Sequence, residues 1–300
     1  MEYILGIDSG ATSSEVLITD YRGKEFFRKI YPPVNYNLLG FKKTTERLML
    51  IITKSLQRYN NDICCIVIGL SGAREEKDRK IISEAIIQKT GFRNVYVYPD
   101  TAIAFASEFE HGQKNCGILI AGTGSVLYYL DSHGQINRAG GWGRIIGDEG
   151  SGYWIGREAL KRITMYYDGI GEDTMLVKFL KKKYKLGKDS VIQAVYHDSF
   201  DISQIAKTVF YCADKGDKVS TNIIKEAAVK IAEHFRIFKK RKYTIALCGS
   251  LFTQQYLLEK YLRKITKLKY PIIKLIKSLR PPVWGAIEIG KFIYNLKHAG

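Results

Sequence analysis

One pattern occurs twice in this chain, and it limits the folds available. Residues 3–7 form a short apolar run, Asp8–Ser13 (DSGATS) a turn, and Glu15–Asp20 a second run. Residues 21–24 (YRGK) are another turn, and Glu25–Tyr31 a third run. The order returns as Cys116–Ala121, the turn Gly122–Ser125 (GTGS), Val126–Leu130, the turn 131–134 and Gln135–Ala139. Apolar runs broken by tight turns predict two three-stranded antiparallel meanders. A duplicated fold explains the recurrence more economically than chance does.

The segments after each meander predict an α/β chain. After the first come a helix over 41–58, with Leu48, Ile51, Ile52 and Leu56 at helical spacing, and a buried strand over Ile63–Leu70. A helix over Ala73–Thr90, a strand over Asn94–Tyr98 and a helix over Thr101–Glu110 complete this part, and Pro32–Gly40 reads as a loop. After the second come a helix over 151–167 and a mostly helical stretch over 170–240. A strand over Tyr243–Cys248, a helix over 252–262, a strand or irregular segment over Pro271–Leu279 and a last helix over Pro281–Lys297 end the chain. Three hundred residues favour two domains over one. The polar turn 112–115 (GQKN) is the expected junction.

Several residues stand where strand ends meet turns. Backbone N–H groups in the 8–13 turn can cradle phosphate, and the hydroxyls of Ser9, Thr12 and Ser13 add donors. Asp8 can hold Mg²⁺ through water, since that ion keeps much of its hydration; a plain hairpin would also explain DSG. Asp100 lies just past a strand, where open α/β sheets place ligands, but helix capping alone would also account for it. Gly249-Ser250, between a strand and a helix, suits close approach to an anionic group.

Residues 140–156, GGWGRIIGDEGSGYWIG, hold seven glycines, two tryptophans and the Asp148–Glu149 pair. Glycines allow close approach of the backbone. Aromatics offer flat apolar faces, and carboxylates accept hydrogen bonds. The mixture suits a small polar ligand with an apolar side, such as a sugar ring. The competing reading is a Gly-rich turn with both tryptophans in the core.

Composition narrows the class. Hydrophobic content of 46% and charged content of 26% are ordinary for a globular protein. No apolar run is long enough for a membrane span. The opening MEYILGIDSG lacks the features of a secretory leader. Five cysteines, an odd count without a CxxC and mostly in apolar runs, suggest reduced thiols and a cytoplasmic protein, and the five scattered histidines have no metal-site spacing. The net charge of +17 invites a nucleic-acid reading. Its Lys/Arg clusters at 181–188, 239–242 and 263–269 fit solvated helix faces better, so neither nucleic acid nor membrane is an expected partner.

Two meanders, two phosphate turns, Asp100 and Gly249-Ser250 together resemble the actin/hexokinase/Hsp70 superfamily. GTGS followed by GGWGxxxGDEGSxYWIG resembles the N-acetylglucosamine kinase family, within the BadF/BadG/BcrA/BcrD ATPase group. The resemblance implies two ribonuclease-H-like domains flanking a nucleotide cleft. They would cover 1–113 (joined by the helix 283–298) and 114–282. It implies ATP and Mg²⁺ as cofactors, with Asp8, Ser9, Gly10, Thr12, Gly122, Thr123, Gly124, Gly249 and Ser250 binding ATP and Asp8 serving the metal. It implies Asp100 as catalytic base, Asn35, Gly141, Trp142 and Asp148 binding the sugar, and Trp154 returned to the core. The expected reaction is transfer to the 6-hydroxyl of N-acetylglucosamine or a close relative, N-acetylmuramic acid or glucosamine; a homodimer is compatible with it. Val126 follows GTGS where a polar residue is expected in acetylglucosamine kinases, which leaves the sugar open. A non-catalytic sugar sensor and an ATPase driving a partner protein are the rival readings.

Overall fold

A computed structural model describes residues 2–10, 12–56, 59, 62–239, 241–278 and 280–298. Residues 11, 57, 58, 240 and 279, on which parts of the expected first turn, first long helix, a basic cluster and the 271–279 segment fall, lie outside it. The chain divides into two compact units, 1–112 with 278–300, and 113–277. The expected divisions were 113/114 and 282/283.

In the first unit, β1 (Tyr3–Ser9), β2 (Ser14–Asp20) and β3 (Glu25–Tyr31) form the antiparallel meander. Helix α1 (Tyr36–Leu56), β4 (Ile63–Leu70), α2 (Glu76–Thr90), β5 (Val95–Pro99) and α3 (Asp100–Glu108) come next. The strand order is β3-β2-β1-β4-β5, with β4 parallel to β1 and β5 parallel to β4.

Helices cover both faces of this sheet, so its central strands are apolar on both sides, as parallel pairing requires. Leu5, Ile7, Ile66 and Ile68 pack with Leu48, Ile52, Ile82 and Ile86 of α1 and α2. Their neighbours Ile4, Cys65 and Val67 face the other way, toward Ile103 of α3 and the helix Val283–His298. Glycines let that second layer come close. A Cβ on Gly69 would sit 2.2 Å from Ile103 Cδ1, and one on Gly6 3.0 Å from Ile287 Cδ1.

The second unit repeats the plan. It holds β6 (Cys116–Ala121), β7 (Ser125–Leu130) and β8 (Ile136–Gly140), then α4 (Gly152–Tyr167), α5 (Met175–Tyr184), α6 (Val191–Tyr196), α7 (Ile205–Asp214) and α8 (Lys218–Ala232). β9 (Tyr243–Cys248), α9 (Ser250–Thr253), α10 (Tyr256–Lys269) and β10 (Ile273–Lys277) complete it, and the helix Val283–His298 of the first unit is α11. The order β10-β9-β6-β7-β8, read from its other edge, is that of the first sheet. β6–β7–β8 is antiparallel, while β9 runs parallel to β6 and β10 to β9. One core, with Leu119, Trp154, Ile155, Val209, Ile224, Phe235 and Phe252, joins this sheet to its helices. The α/β class and two five-stranded sheets agree with the expected architecture.

Local differences have physical causes. The first long helix starts at Tyr36, not residue 41; Gly40, at φ 68° and ψ 176°, breaks it, so the expected Pro32–Gly40 loop is mostly one helical turn. α2 begins only at Glu76, after Gly72 at φ +86°. The segment 252–262 is two helices, since α9 ends at Thr253 and α10 starts at Tyr256.

Candidate functional site

The C-terminal ends of β1, β4 and β5 gather the first unit's chemistry. Asp8 pairs across the sheet with Glu15 on β2 and with Gly69 on β4. Burial, then the Asp100 and Glu15 carboxylates, push its carboxyl up to about 7. The Asp100 carboxylate is therefore close enough for its charge to be felt at Asp8. Asp100 opens α3 as its first residue, not as its cap; its Oδ1 accepts a hydrogen bond from its neighbour Thr101 N at 2.8 Å.

Asn35 stands at the same strand ends. Its Nδ2 donates to Ser71 Oγ (3.3 Å), and Tyr36 N donates to Ser71 O (2.9 Å). Gly72 has no room for a side chain, because its Cβ would lie 2.9 Å from Asn35 Oδ1. Sequence reasoning missed Ser71 and Gly72 as neighbours of this site. The signal was there: they lie just past β4, as Asp8 and Asp100 end or come after their own strands.

The 8–13 turn closes with Gly10 N donating to Ser13 O (2.9 Å), and Thr12 is exposed. Ser9 corrects an expectation. Its side chain is buried, shares a hydrogen bond with Ser14 Oγ (3.0 Å) and donates to Val34 O (3.2 Å). Strand alternation turns Ser9 inward with Ile7, so its hydroxyl is committed inside the protein.

In the second unit, three glycine-rich segments meet at the ends of β6 and β9. Gly122 N donates to Gly124 O (2.9 Å) within the GTGS turn. The start of α4 is stitched to that turn: Gly152 N donates to Gly122 O (2.7 Å) and Tyr153 N to Thr123 O (3.1 Å). Ser125 Oγ donates to Glu149 O (2.7 Å). Ser151 caps α4, its Oγ accepting from Trp154 N at 3.2 Å. The amides at the α4 N-terminus are thus satisfied internally. Those of Thr123 and Gly124 have no internal partner among the described residues.

Asp148 adopts a left-handed conformation (φ 55°), which places its carboxylate over Gly124; a Cβ there would be 2.7 Å from Asp148 Oδ2. Gly249, at φ 96°, lies against β6, its missing Cβ only 2.4 Å from Ala121 O. Ser250 Oγ lies 3.5 Å from the Cβ position of Gly122. Gly122, Thr123, Gly124, Asp148, Gly249 and Ser250 are therefore one cluster.

Gly141 and Trp142 lie on the adjoining loop. Trp142 is 66% exposed, with the Arg138 guanidinium 4.5 Å from its ring centroid. Arg138 Nη1 also donates to Gly141 O (3.3 Å). Gly141 packs on Val126, whose Cγ2 would be 2.7 Å from a Cβ. His234 fills the space beside Gly140, and nothing in the sequence signalled it. Trp154 is buried at 5% exposure, as expected.

The residues fit a hydrated divalent cation rather than a closed cage. No group of three or more His, Cys, Asp or Glu able to hold a metal occurs among the described residues. Asp8 and Asp100 nevertheless form an acidic pair that a cation would neutralise.

Comparison with known proteins adds the lineage. An N-acetylmuramic acid/N-acetylglucosamine kinase of Clostridium acetobutylicum is 30% identical, over 97% of this chain and 99% of that protein. An N-acetyl-D-glucosamine kinase of Dictyostelium discoideum is 26% identical, over 95% and 96%. A crystal structure from Chromobacterium violaceum, described as a candidate N-acetylglucosamine kinase, superposes with a TM-score of 0.73 at 21% identity, covering 96% of this chain and 98% of that one. A ROK family glucokinase from Streptomyces griseus, solved with glucose and AMPPNP, gives 0.59 at 14% identity, over 97% and 98%. The last two likenesses establish that the chain shares their fold. The family model matches residues 5–290, and the chain belongs to the BadF/BadG/BcrA/BcrD ATPase family.

Proposed function

We propose that this protein is an ATP-dependent amino-sugar kinase that phosphorylates the 6-hydroxyl of N-acetylglucosamine or a close relative, N-acetylmuramic acid or glucosamine. The observation that carries the reading is the stitching of the GTGS turn to the GDEGS segment through Gly152 N, Tyr153 N and Ser125 Oγ. A phosphate-type turn and a sugar-type loop built as one piece suit a transfer between nucleotide and sugar. The names of the two relatives support the same acceptor class.

In this reading each residue has a task. Asp100 accepts the proton of the attacking hydroxyl. Asn35, Gly141, Trp142 and Asp148 hold the sugar, with Trp142 offering its exposed face to the ring. The amides of Thr123 and Gly124, the 8–13 turn and Gly249-Ser250 receive the nucleotide. Asp8 holds Mg²⁺ through water; when bound, that ion neutralises phosphate charge. The protein works in the cytoplasm, on small molecules rather than nucleic acid or membrane, and no described helix is long and apolar enough to cross a bilayer. Homodimerisation belongs to the same reading and is measured by light scattering.

The test is ADP release over a panel of amino sugars. Turnover with at least one supports the kinase. ADP release that ignores sugar and needs a partner protein supports the ATPase, and sugar binding without turnover supports a sensor.

A further inference from the structure

The far end of the first sheet holds chemistry that phosphoryl transfer does not use. Cys64 and Cys65 open β4, opposite to the strand ends that carry Asp8 and Asp100. Consecutive residues of a regular strand point to opposite faces, so neighbouring thiols normally cannot cooperate. Here the ladder slips: Tyr3 pairs with Ile63 and Ile4 with Cys65, which leaves Cys64 as an extra residue without a partner in the register. Such a bulge re-aims a side chain.

Both cysteines line one cavity of about 160 Å³, with Glu2, Ile63, Asn94, Ile293 and Tyr294 as its other walls. Cys64 Sγ donates to Tyr3 O (3.2 Å), and Cys65 Sγ lies 3.8 Å from Gly290 O. Cys64 is partly exposed, whereas Cys65 is 3% exposed. A hydrogen bond from the Cys65 thiol holds Cys64 below the usual thiol range, against the opposing effect of burial. Partial access at one of two neighbouring sulfurs opens the pair to a ligand, and soft ligands of this kind select soft partners.

We propose that Cys64 and Cys65 form a vicinal dithiol site that a single trivalent arsenical bridges from the cavity. With monomethylarsonous acid, two S–H and two As–OH bonds break, two As–S bonds form, and two waters leave. Neither arsenic nor sulfur changes oxidation state. The cavity admits a group of that size, and Cys116, Cys212 and Cys248 belong to the second unit and have no cysteine beside them in sequence.

Intact-mass spectrometry of the full chain with monomethylarsonous acid tests the site. One adduct per chain is expected, stable to a hundredfold excess of glutathione and removed by dimercaptopropanol. Cys64→Ser and Cys65→Ser should each lose the glutathione-resistant adduct, and Cys116→Ser, Cys212→Ser and Cys248→Ser should keep it. Cys64→Ser, at the partly exposed position, carries the test if Cys65→Ser does not fold. A resistant adduct surviving in Cys64→Ser, or an adduct that glutathione strips from the wild type, overturns the proposal. The outcome does not depend on kinase activity.

Discussion

At the scale of single residues, the acidic pair of the first unit makes the sharpest demands. A positioned general base is worth about 10²–10⁴-fold. In its proposed role as that base, Asp100 changed to asparagine (Asp100→Asn) should lower kcat by about that factor while sugar KM stays within a few-fold; steady-state kinetics checks both. Asp8 carries a stability signature. Its folded value of about 7 lies above the ordinary value of 3.8. The native state thus holds a proton that the unfolded chain has released, and stability falls as pH rises from about 4 to 7. Asp8→Asn removes this cost. Without divalent cations, the variant should gain about 1–3 kcal/mol over wild type at pH 8 and nothing near pH 4, by urea midpoints at each pH. Mg²⁺ added to the wild type should close part of that gap.

The elements show why some positions could be read in advance and others not. Both meanders and the parallel strands after them were legible, because apolar alternation, Gly-Ser steps and the repeat itself encode local structure. The grouping of GTGS, GDEGS and Gly249-Ser250 was expected only from the family resemblance. Ser9 was not: a serine in a turn looks like a phosphate ligand, and only the pleat shows its hydroxyl bonded to Ser14 and Val34. His234 was hidden because it comes from a helical region almost a hundred residues beyond the loop it supports. The early start of α1 was masked by Gly40, which normally ends a helix.

Close packing between elements gives a further expectation. A Cβ on Gly285 of α11 would sit 1.6 Å from Ile103 O of α3, the helix that Asp100 opens. Gly285→Ala must push the two helices apart. It should destabilise the protein by about 1–3 kcal/mol, the usual cost of overpacking, and lower kcat because Asp100 moves with α3. A thermal melt and a kinetic assay on the same sample check the pair. Ser125→Ala breaks the bond to Glu149 O and should cost about 1 kcal/mol, together with a rise in sugar KM.

For the whole molecule, the two units differ in how the chain builds them. Residues 113–277 are continuous and own a complete core. A fragment of that span should fold alone, with a cooperative melt by circular dichroism. The first unit is split, and Val283, Ala286 and Ile287 supply much of the layer beneath Ile4, Leu17 and Val67. Removing residues 278–300 should leave residues 1–112 unable to melt cooperatively, even when the second unit is intact.

That split sets an order for synthesis. Domains usually mature as they leave the ribosome, the earliest first. Here the half translated first must wait for α11. At about 5–20 residues per second, the intervening unit alone takes on the order of 10–30 s to translate. Throughout that interval the face of the first sheet that α11 covers is open to chaperones and proteases. Translation that stalls before residue 278 therefore leaves a finished second unit tethered to an unfinished first one, a product that quality control can recognise by its uncovered sheet.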